Sequence, residues 1–435
     1  MQTLKVKYKS TSSIKPYKNN PRKHLSKHIA EIKKSIHQFG FNNPILLDEN
    51  DEIIAGHGRF YAAKELKLDK VPVIILDHLK PEEKRLYRIA DNKLTENGQW
   101  DVDLLAIEFK DLSSFDIGID LEITGFTTTQ IDLSISGQQE SYNEKDDALP
   151  ETNVDNPVAR KGDIWLLGKH KIICGDATSE ETFFNLLAEE KASMIFTDPP
   201  YNVKIDGHVC GLGDTKHREF MMASGEMSDS EFQNFLKSII TNLKTFSKDG
   251  SLHYLCMDWR HIKDLLEAGE AIYSSLKNIC VWNKDNGGMG SLYRSKHELI
   301  AVFKSGTAAH INNIELGANG RYRTNVWDYP GINSFKGNRE ELTMHPTVKP
   351  VVMIADAILD TTKRKDIVLD CFLGSGSTLI AAEKTGRICY GIELDPIYID
   401  VIIKRFEKYT GLEAIHLFTQ KTFLEIKEVR SEKQK

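Results

Sequence analysis

"DIVLDCFLGSGSTLIAAEKTGRICYGIELDP", residues 366–396, sets an apolar run, a glycine-bearing loop, a helical window, a second apolar run and an acid in that order. The first run reads as a strand ending at Asp370. The loop leads into a helix from about Ser377, and the next strand ends at Glu393. Gly374 and Gly376 let the backbone turn sharply, so a ligand can approach main-chain N–H groups at a helix start. An acid at the end of the second strand can grip two ribose hydroxyls. The loop lacks the third glycine of the GxGxxG fingerprint, which a pyrophosphate needs for close helix approach. A nucleoside-type cofactor without phosphates therefore fits better than a dinucleotide.

The same alternation extends from "GDIWLLG" onward. Strand-like runs (KIICGD, ASMIFTD, GSLHYLCM, NICVWN, ELIAVF) are separated by helical windows. Runs apolar on both faces and alternating with helices predict an α/β domain with a doubly wound, mostly parallel sheet. In such a sheet the carboxyl ends of the strands share one edge. That edge brings Gly374 towards "TDPPYN", residues 197–202, where an acid, two prolines and a tyrosine close the run "ASMIF".

"DCFLGSGST" with "GIELDP" resembles the S-adenosylmethionine site of amino-group DNA methyltransferases, and "DPPY" resembles their catalytic signature. The resemblance implies a Rossmann-like methyltransferase sheet. It further implies that Phe372, Gly374, Ser375, Gly376, Ser377 and Thr378 line the methionine part of the cofactor, with Asp370 beside them. Glu393 would hold the ribose and Asp176, in "ICGDA", would meet the adenine ring. "HPTVKP" resembles the segment that contacts the cofactor's carboxylate end, which nominates Lys349. Cys371 stands where the family usually has proline, implying a less stiff loop that still binds. The catalytic motif precedes the cofactor loop, an order similar to the beta group, whose members mostly methylate adenine N6. N4-cytosine stays open as the alternative, as does a non-catalytic ParB-like DNA-binding protein with a vestigial methyltransferase fold.

An exocyclic amine is a poor nucleophile because its lone pair is delocalised into the ring. Two acceptors on its hydrogens can turn that lone pair towards a methyl donor. Asp198 is one candidate and the carbonyl of Pro199 the other. Pro199 and Pro200 fix φ, so the carbonyl is held at little further ordering cost. Tyr201 would stack on the base, which must leave the duplex to enter such a pocket. Direct transfer requires no metal, and none is expected.

Between the two motifs, aromatic and basic residues interleave (Tyr293, Arg294, Lys296, Arg321, Tyr322, Arg323, Trp327), a composition suited to phosphate contact and base stacking. Gly287, Gly288 and Gly290 suggest a mobile loop. A second insertion, "VKIDGHVCGLGDTKHREFMMASGEM", contains His208 and His217 without a third ligand, so a metal is not indicated there.

The first region alternates short helices and strands: "HIAEIKKSIHQFG" is helical with Gly40 as its stop, and "PILLDENDEIIAG" reads as two strands around an acidic turn. "NNPRKH" and "IIAGHGRFYAAKEL" resemble the amino-terminal domain of ParB-type partition proteins, related in fold to sulfiredoxin, over about residues 12–95. The positions matching its phosphate pocket are Arg22 and Gly56, His57, Gly58 and Arg59. Gly58-Arg59 stands where the family has two arginines. A DNA- or protein-docking module is expected, and no helix-turn-helix pattern is evident after it. The polar, aromatic-poor stretch at 126–158 reads as a linker. The expected domains are thus 1–125 (ParB-like, α+β), 126–158 (linker) and 159–435 (methyltransferase).

With 57 basic and 63 acidic residues among 435, net charge is -6, which excludes a histone-like coat but leaves local basic patches. Six cysteines without a CxxC pair indicate reduced thiols and a cytoplasmic setting. No apolar run is long enough to cross a bilayer, so no membrane is expected. Double-stranded DNA is the expected partner, with a homodimer and a restriction-system or phage partner as further expectations.

Overall fold

In the central strands of the larger sheet, successive side chains enter two different cores. Met194, Phe196, Val368 and Cys389 belong to one core, and Ile195, Leu369, Tyr390 and Ile392 to the other. Both faces are covered, which is why these strands are apolar throughout instead of alternating with polar residues. The computed structural model describes residues 4–115, 118–137, 144–150, 156–203, 223, 225–287, 292–317, 321–331 and 348–432.

Two compact units divide the chain, Met1–Ile135 and Ser136–Lys435. The first carries β1 (Lys7–Ser10), α1 (Ser26–Phe39), β2 (Ile45–Leu47), β3 (Ile53–Ala55), α2 (His57–Glu65), β4 (Lys70–Ile75), α3 (Pro81–Glu96), α4 (Val102–Ser114) and α5 (Thr128–Ser136). Its sheet has the order β1-β4-β2-β3 around a small core that includes Ile45, Leu47, Phe60 and Val73. Gly40 ends α1 at φ 84°, as the sequence predicts.

The second unit carries α6 (Glu144–Asp147), β5 (Ile164–Leu167), β6 (His170–Cys174), α7 (Glu180–Leu187), β7 (Ala192–Thr197), α8 (Asp229–Thr245), β8 (Ser247–Met257), α9 (Ile262–Glu270), β9 (Ser275–Asn283), β10 (His297–Lys304) and β11 (Val326–Asp328). It continues with α10 (Val351–Thr361), β12 (Ile367–Asp370), α11 (Ser377–Thr385), β13 (Ile388–Glu393), α12 (Pro396–Thr410), β14 (Ala414–His416) and α13 (Phe423–Glu432). Sheet order is β11-β9-β10-β8-β7-β12-β13-β6-β5-β14. The five strands from β8 to β6 are parallel, and antiparallel pairs flank them on both sides. Helices α10 to α12 pack on one face and α7 to α9 on the other. From β7 the chain moves outward to β8, and from β12 outward to β13 in the opposite sense. The topological switch point, where open α/β sheets hold their ligands, therefore falls between β7 and β12.

The segment read as a linker departs from that reading. Thr127 and Gln130 form a capping box, the Thr127 N–H donating to Gln130 Oε1 at 2.8 Å and the Gln130 N–H to Thr127 Oγ1 at 3.3 Å. They start α5, whose Ile131 is buried, so the first compact unit runs to residue 135. "TTTQ" was the local signal, masked by the polar composition around it. No helix among the described residues is long and apolar enough to cross a membrane.

Candidate active site

β7 stops at Thr197 because the prolines that follow cannot donate to a sheet ladder. Asp198 is placed at that strand end, and both its carboxylate oxygens are engaged. Oδ1 accepts from the Tyr201 hydroxyl, and Oδ2 from Lys349 Nζ at 2.5 Å. The Lys349 ammonium is also 2.9 Å from Glu298 Oε2, and Lys284 donates to Glu298 Oε1. The Tyr201 hydroxyl is 3.3 Å from Glu298 Oε2. Lys284, Glu298, Lys349 and Asp198 thus form a row of alternating charges.

Glu298 and Lys284 carry no sequence motif. Topology alone exposes them. β10 runs antiparallel to β8 with Leu299 opposite Met257, so its start lies at the carboxyl edge of the parallel strands. β9 returns antiparallel to β10, which brings its far end and Lys284 to the same edge.

Charge states follow from this row. Burial raises the Asp198 carboxyl above its ordinary range, and the nearby Glu298 charge adds to the rise while Lys349 opposes it. Burial would also raise Glu298, but Lys349 and Lys284 pull it down to about 2. Burial would depress Lys349, yet Asp198 and Glu298 outweigh it and hold the lysine charged above its ordinary range. One ammonium is therefore shared by two carboxylates. The resemblance assigns Lys349 to the cofactor; the structure instead seats it on Asp198 and Glu298.

The neighbouring loop is built from β12 and α11. Gly374 and Gly376 have φ of 53° and 86°, conformations that side chains rarely adopt. Asp370 braces the loop: Oδ1 accepts from Thr197 Oγ1 at 2.8 Å and from the Phe372 N–H at 3.1 Å, and Oδ2 accepts from Thr378 Oγ1 at 2.7 Å. Burial pushes its carboxyl up to about 6 despite these donors. Ser375 and Ser377 are buried, with hydroxyl oxygens 3.3 Å from Arg405 Nη1. Asp370, Ser375, Ser377 and Thr378 thus hold the loop's shape, while Phe372 is half-buried against the α8 side, near Phe235. Glu393, half-buried, accepts from the Gly374 N–H at 2.8 Å and from the Asp395 N–H at 2.9 Å. Burial lifts its carboxyl to about 7. Glu393 pairs with Cys174 across β13 and β6, which brings Asp176 to the adjoining strand end. There Asp176 Oδ1 holds the Thr178 N–H at 2.8 Å.

Other expectations divide. Arg321 and Arg323 are not free for phosphate. Arg321 Nη2 lies 2.8 Å from Asp360 Oδ1 and 3.1 Å from Asp356 Oδ1, and Arg323 Nε is 3.0 Å from Asp360 Oδ2. Their composition suggested a nucleic-acid face, but two acids at a helical spacing of four on α10 take both guanidiniums. Trp327 is buried, its indole N–H donating to the Thr324 carbonyl at 2.9 Å. Tyr293, Arg294, Lys296 and Tyr322 are exposed. Gly288, Gly290, His208 and His217 lie outside the described residues. In the first unit, Gly56 opens α2 at φ 98°, and Arg22 Nη1 donates to Asn92 Oδ1 at 2.9 Å. His57 is buried and accepts from the Tyr17 N–H at 3.2 Å.

Comparison with known proteins bears on this geometry. Residues 192–405, from β7 into α12, match the N6/N4 methyltransferase family, described as DNA methylase, and residues 1–92 match the ParB N-terminal domain. The chain carries an N6/N4 DNA methylase domain and a ParB N-terminal domain. Residues 103–161 of this chain match the ParB-methyltransferase HTH domain, where sequence pattern alone shows no helix-turn-helix. The ParB-like nuclease domain-containing protein YnaK of Escherichia coli (strain K12) is 48% identical over 84 residues, 19% of this chain and 97% of that protein. Type II methyltransferase M2.MboI of Moraxella bovis is 25% identical over 237 residues, 52% of this chain and 85% of that protein. Among solved structures, the M1.HpyAVI–SAM complex aligns with 21% identity and a TM-score of 0.40, over 54% of this chain and 97% of that one.

Proposed function

We propose that this methylase transfers the methyl group of S-adenosylmethionine to the N6 amine of adenine in DNA, directly and on a base turned out of the duplex. The observation that carries this reading is the Thr197–Asp370 hydrogen bond, which ties the strand bearing the DPPY clamp to the loop that would hold the cofactor.

The residues present suit that cofactor. A loop with two left-handed glycines opens a helix, a half-buried carboxylate stands at the next strand end, and a second acid occupies the strand end beyond. Glu393 would take the ribose hydroxyls, Asp176 would meet the adenine ring, and Phe372 would pack beside the methionine part. When bound, S-adenosylmethionine supplies an electrophilic methyl group on a sulfonium.

The clamp does the rest. Asp198 and the Pro199 carbonyl accept the two hydrogens of the target amine, so the nitrogen lone pair points out of the ring plane. Asp198 would take the proton that the target amine sheds on accepting the methyl group. Lys349 opposes the burial that raises that carboxyl and so favours its ionised form. The Tyr201 ring, its hydroxyl tethered between Asp198 and Glu298, offers a face of fixed orientation to the base. Burial strengthens each of these polar contacts relative to water.

Long-read sequencing of DNA from cells expressing the chain tests the reading. N6-methyladenine at one recurring motif is expected. N4-methylcytosine would move the assignment to the other branch of the family, and unmodified DNA would overturn it.

A further inference from the structure

Pro350, the N-cap of α10, has no side-chain oxygen to offer the free N–H groups at the start of that helix. Asp147 on α6 supplies one instead. Its Oδ1 accepts the Val351 N–H at 2.9 Å, across 204 positions of sequence. A carboxylate there also meets the positive end of the helix dipole. Lys349, two residues before Val351, is the residue seated on Asp198.

The adjacent residue reaches the other half of the site. Asp146 Oδ2 accepts from Lys384 Nζ of α11 at 2.9 Å, and the Asp146 carbonyl accepts from Arg405 Nη2 at 2.8 Å. Arg405 is buried, and its Nη1 donates to the Ser375 carbonyl at 2.9 Å. Two consecutive residues of one short turn therefore hold the helix behind the clamp and, through Arg405, the loop of the cofactor half. No catalytic motif reaches this far upstream.

We propose that the α6 segment is a positioning strap of the methyltransferase site: Asp147 fixes Lys349 through the start of α10, and Asp146 fixes the Ser375–Ser377 loop through Arg405. The inference rests on the methyltransferase reading above. Neither Asp147 nor Arg405 touches the reacting atoms, so both are positioning residues, and each governs a different half. Asp147 should set the rate of transfer. Arg405 should set cofactor affinity.

The test uses the full chain, with S-adenosylmethionine binding followed by calorimetry and transfer of labelled methyl followed on DNA from a methylation-free host. Asp147→Ala is expected to lower kcat about tenfold, the loss of a helix cap, with the cofactor dissociation constant held within about twofold. Asp147→Asn keeps an acceptor oxygen and should restore most of the rate. Arg405→Met should weaken cofactor binding about tenfold. Should Asp147→Ala not fold, Val351→Pro removes the donor of the same bond at a position where proline is tolerated, after a residue already extended at ψ 129°. The same split between kcat and affinity is expected. An unchanged kcat in Asp147→Ala or Val351→Pro, or kcat and cofactor affinity falling together, overturns the strap. An unmodified chain that neither binds S-adenosylmethionine nor methylates DNA overturns the methyltransferase reading itself.

Discussion

Thr197 and Asp370, 173 positions apart, share a 2.8 Å hydrogen bond between the ends of two neighbouring parallel strands. Thr197 precedes the proposed clamp and Asp370 opens the proposed cofactor loop, so the bond sets two motifs distant in sequence side by side. The bond is buried and lies at the switch point of the sheet, the place where open α/β sheets generally hold their ligands.

Lys349 gives the first prediction. Its ammonium opposes the burial that raises Asp198, so Lys349→Met should raise the Asp198 carboxyl further. The acid limb of the kcat–pH profile then moves to higher pH. Cofactor affinity should change little, because the ammonium is seated on the clamp. Kinetics over a range of pH, with calorimetry for affinity, check both. A large loss of cofactor binding with an unmoved pH profile would return Lys349 to the cofactor pocket.

Glu393 carries the second. Its carboxyl is raised to about 7, so it is protonated in the free chain at lower pH and ionised above. The ionised form is the better acceptor for ribose hydroxyls. Cofactor affinity should therefore rise as pH increases through about 7 and fall on the acid side. Glu393→Gln should weaken binding by about 1–2 kcal/mol and flatten this response. Calorimetric titrations at several pH values decide it, and an unchanged dissociation constant in the variant would remove Glu393 from the site.

The Arg321–Asp360 pair yields a prediction about stability instead of DNA. Removing Arg321 leaves Asp356 and Asp360 to share the single guanidinium of Arg323, at a cost of about 1–3 kcal/mol. Arg321→Ala should lower Tm markedly. Arg294→Ala and Tyr293→Ala, on exposed chain, should leave Tm in place and weaken DNA binding. Thermal melts set beside DNA titrations separate the two behaviours, and a stable Arg321→Ala with impaired DNA binding would reverse the assignment.

The boundary between units gives a fourth. Residues 136–435 hold the complete ten-stranded sheet and the α6 segment. Expressed alone, they should melt in one cooperative transition and retain cofactor affinity. A non-cooperative melt would mean that the first unit completes the catalytic core.

Much of this was legible in the sequence because the informative signals are local. A strand that is apolar on both faces, a glycine that must take positive φ and an acid at a strand end each announce themselves within about ten residues. "DIVLDCFLGSGST" and "ASMIFTDPPY" therefore gave the strand ends, the loop and the start of α11 at Ser377. Glu298 and Lys284 were not legible. Their importance depends on two antiparallel returns of the sheet, and nothing near them in sequence reports which edge they reach. Lys349 was visible as a motif residue, but its partners were not, since charge pairing is decided by three-dimensional proximity. Arg321 and Arg323 show the converse error. A basic, aromatic composition suits a nucleic-acid face, yet Asp356 and Asp360 on α10 claim both side chains. The α5 helix was hidden by composition, although its capping box lay in plain view.

The most direct measurement follows labelled methyl from S-adenosylmethionine into duplex DNA for the unmodified chain and for Asp198→Ala, with cofactor binding measured on both. Label should enter DNA with the unmodified chain. With the variant it should fall by at least about a thousandfold, while cofactor affinity is retained. Equal incorporation by the two proteins, or none by a folded, cofactor-bound unmodified chain across varied DNA, would contradict the account.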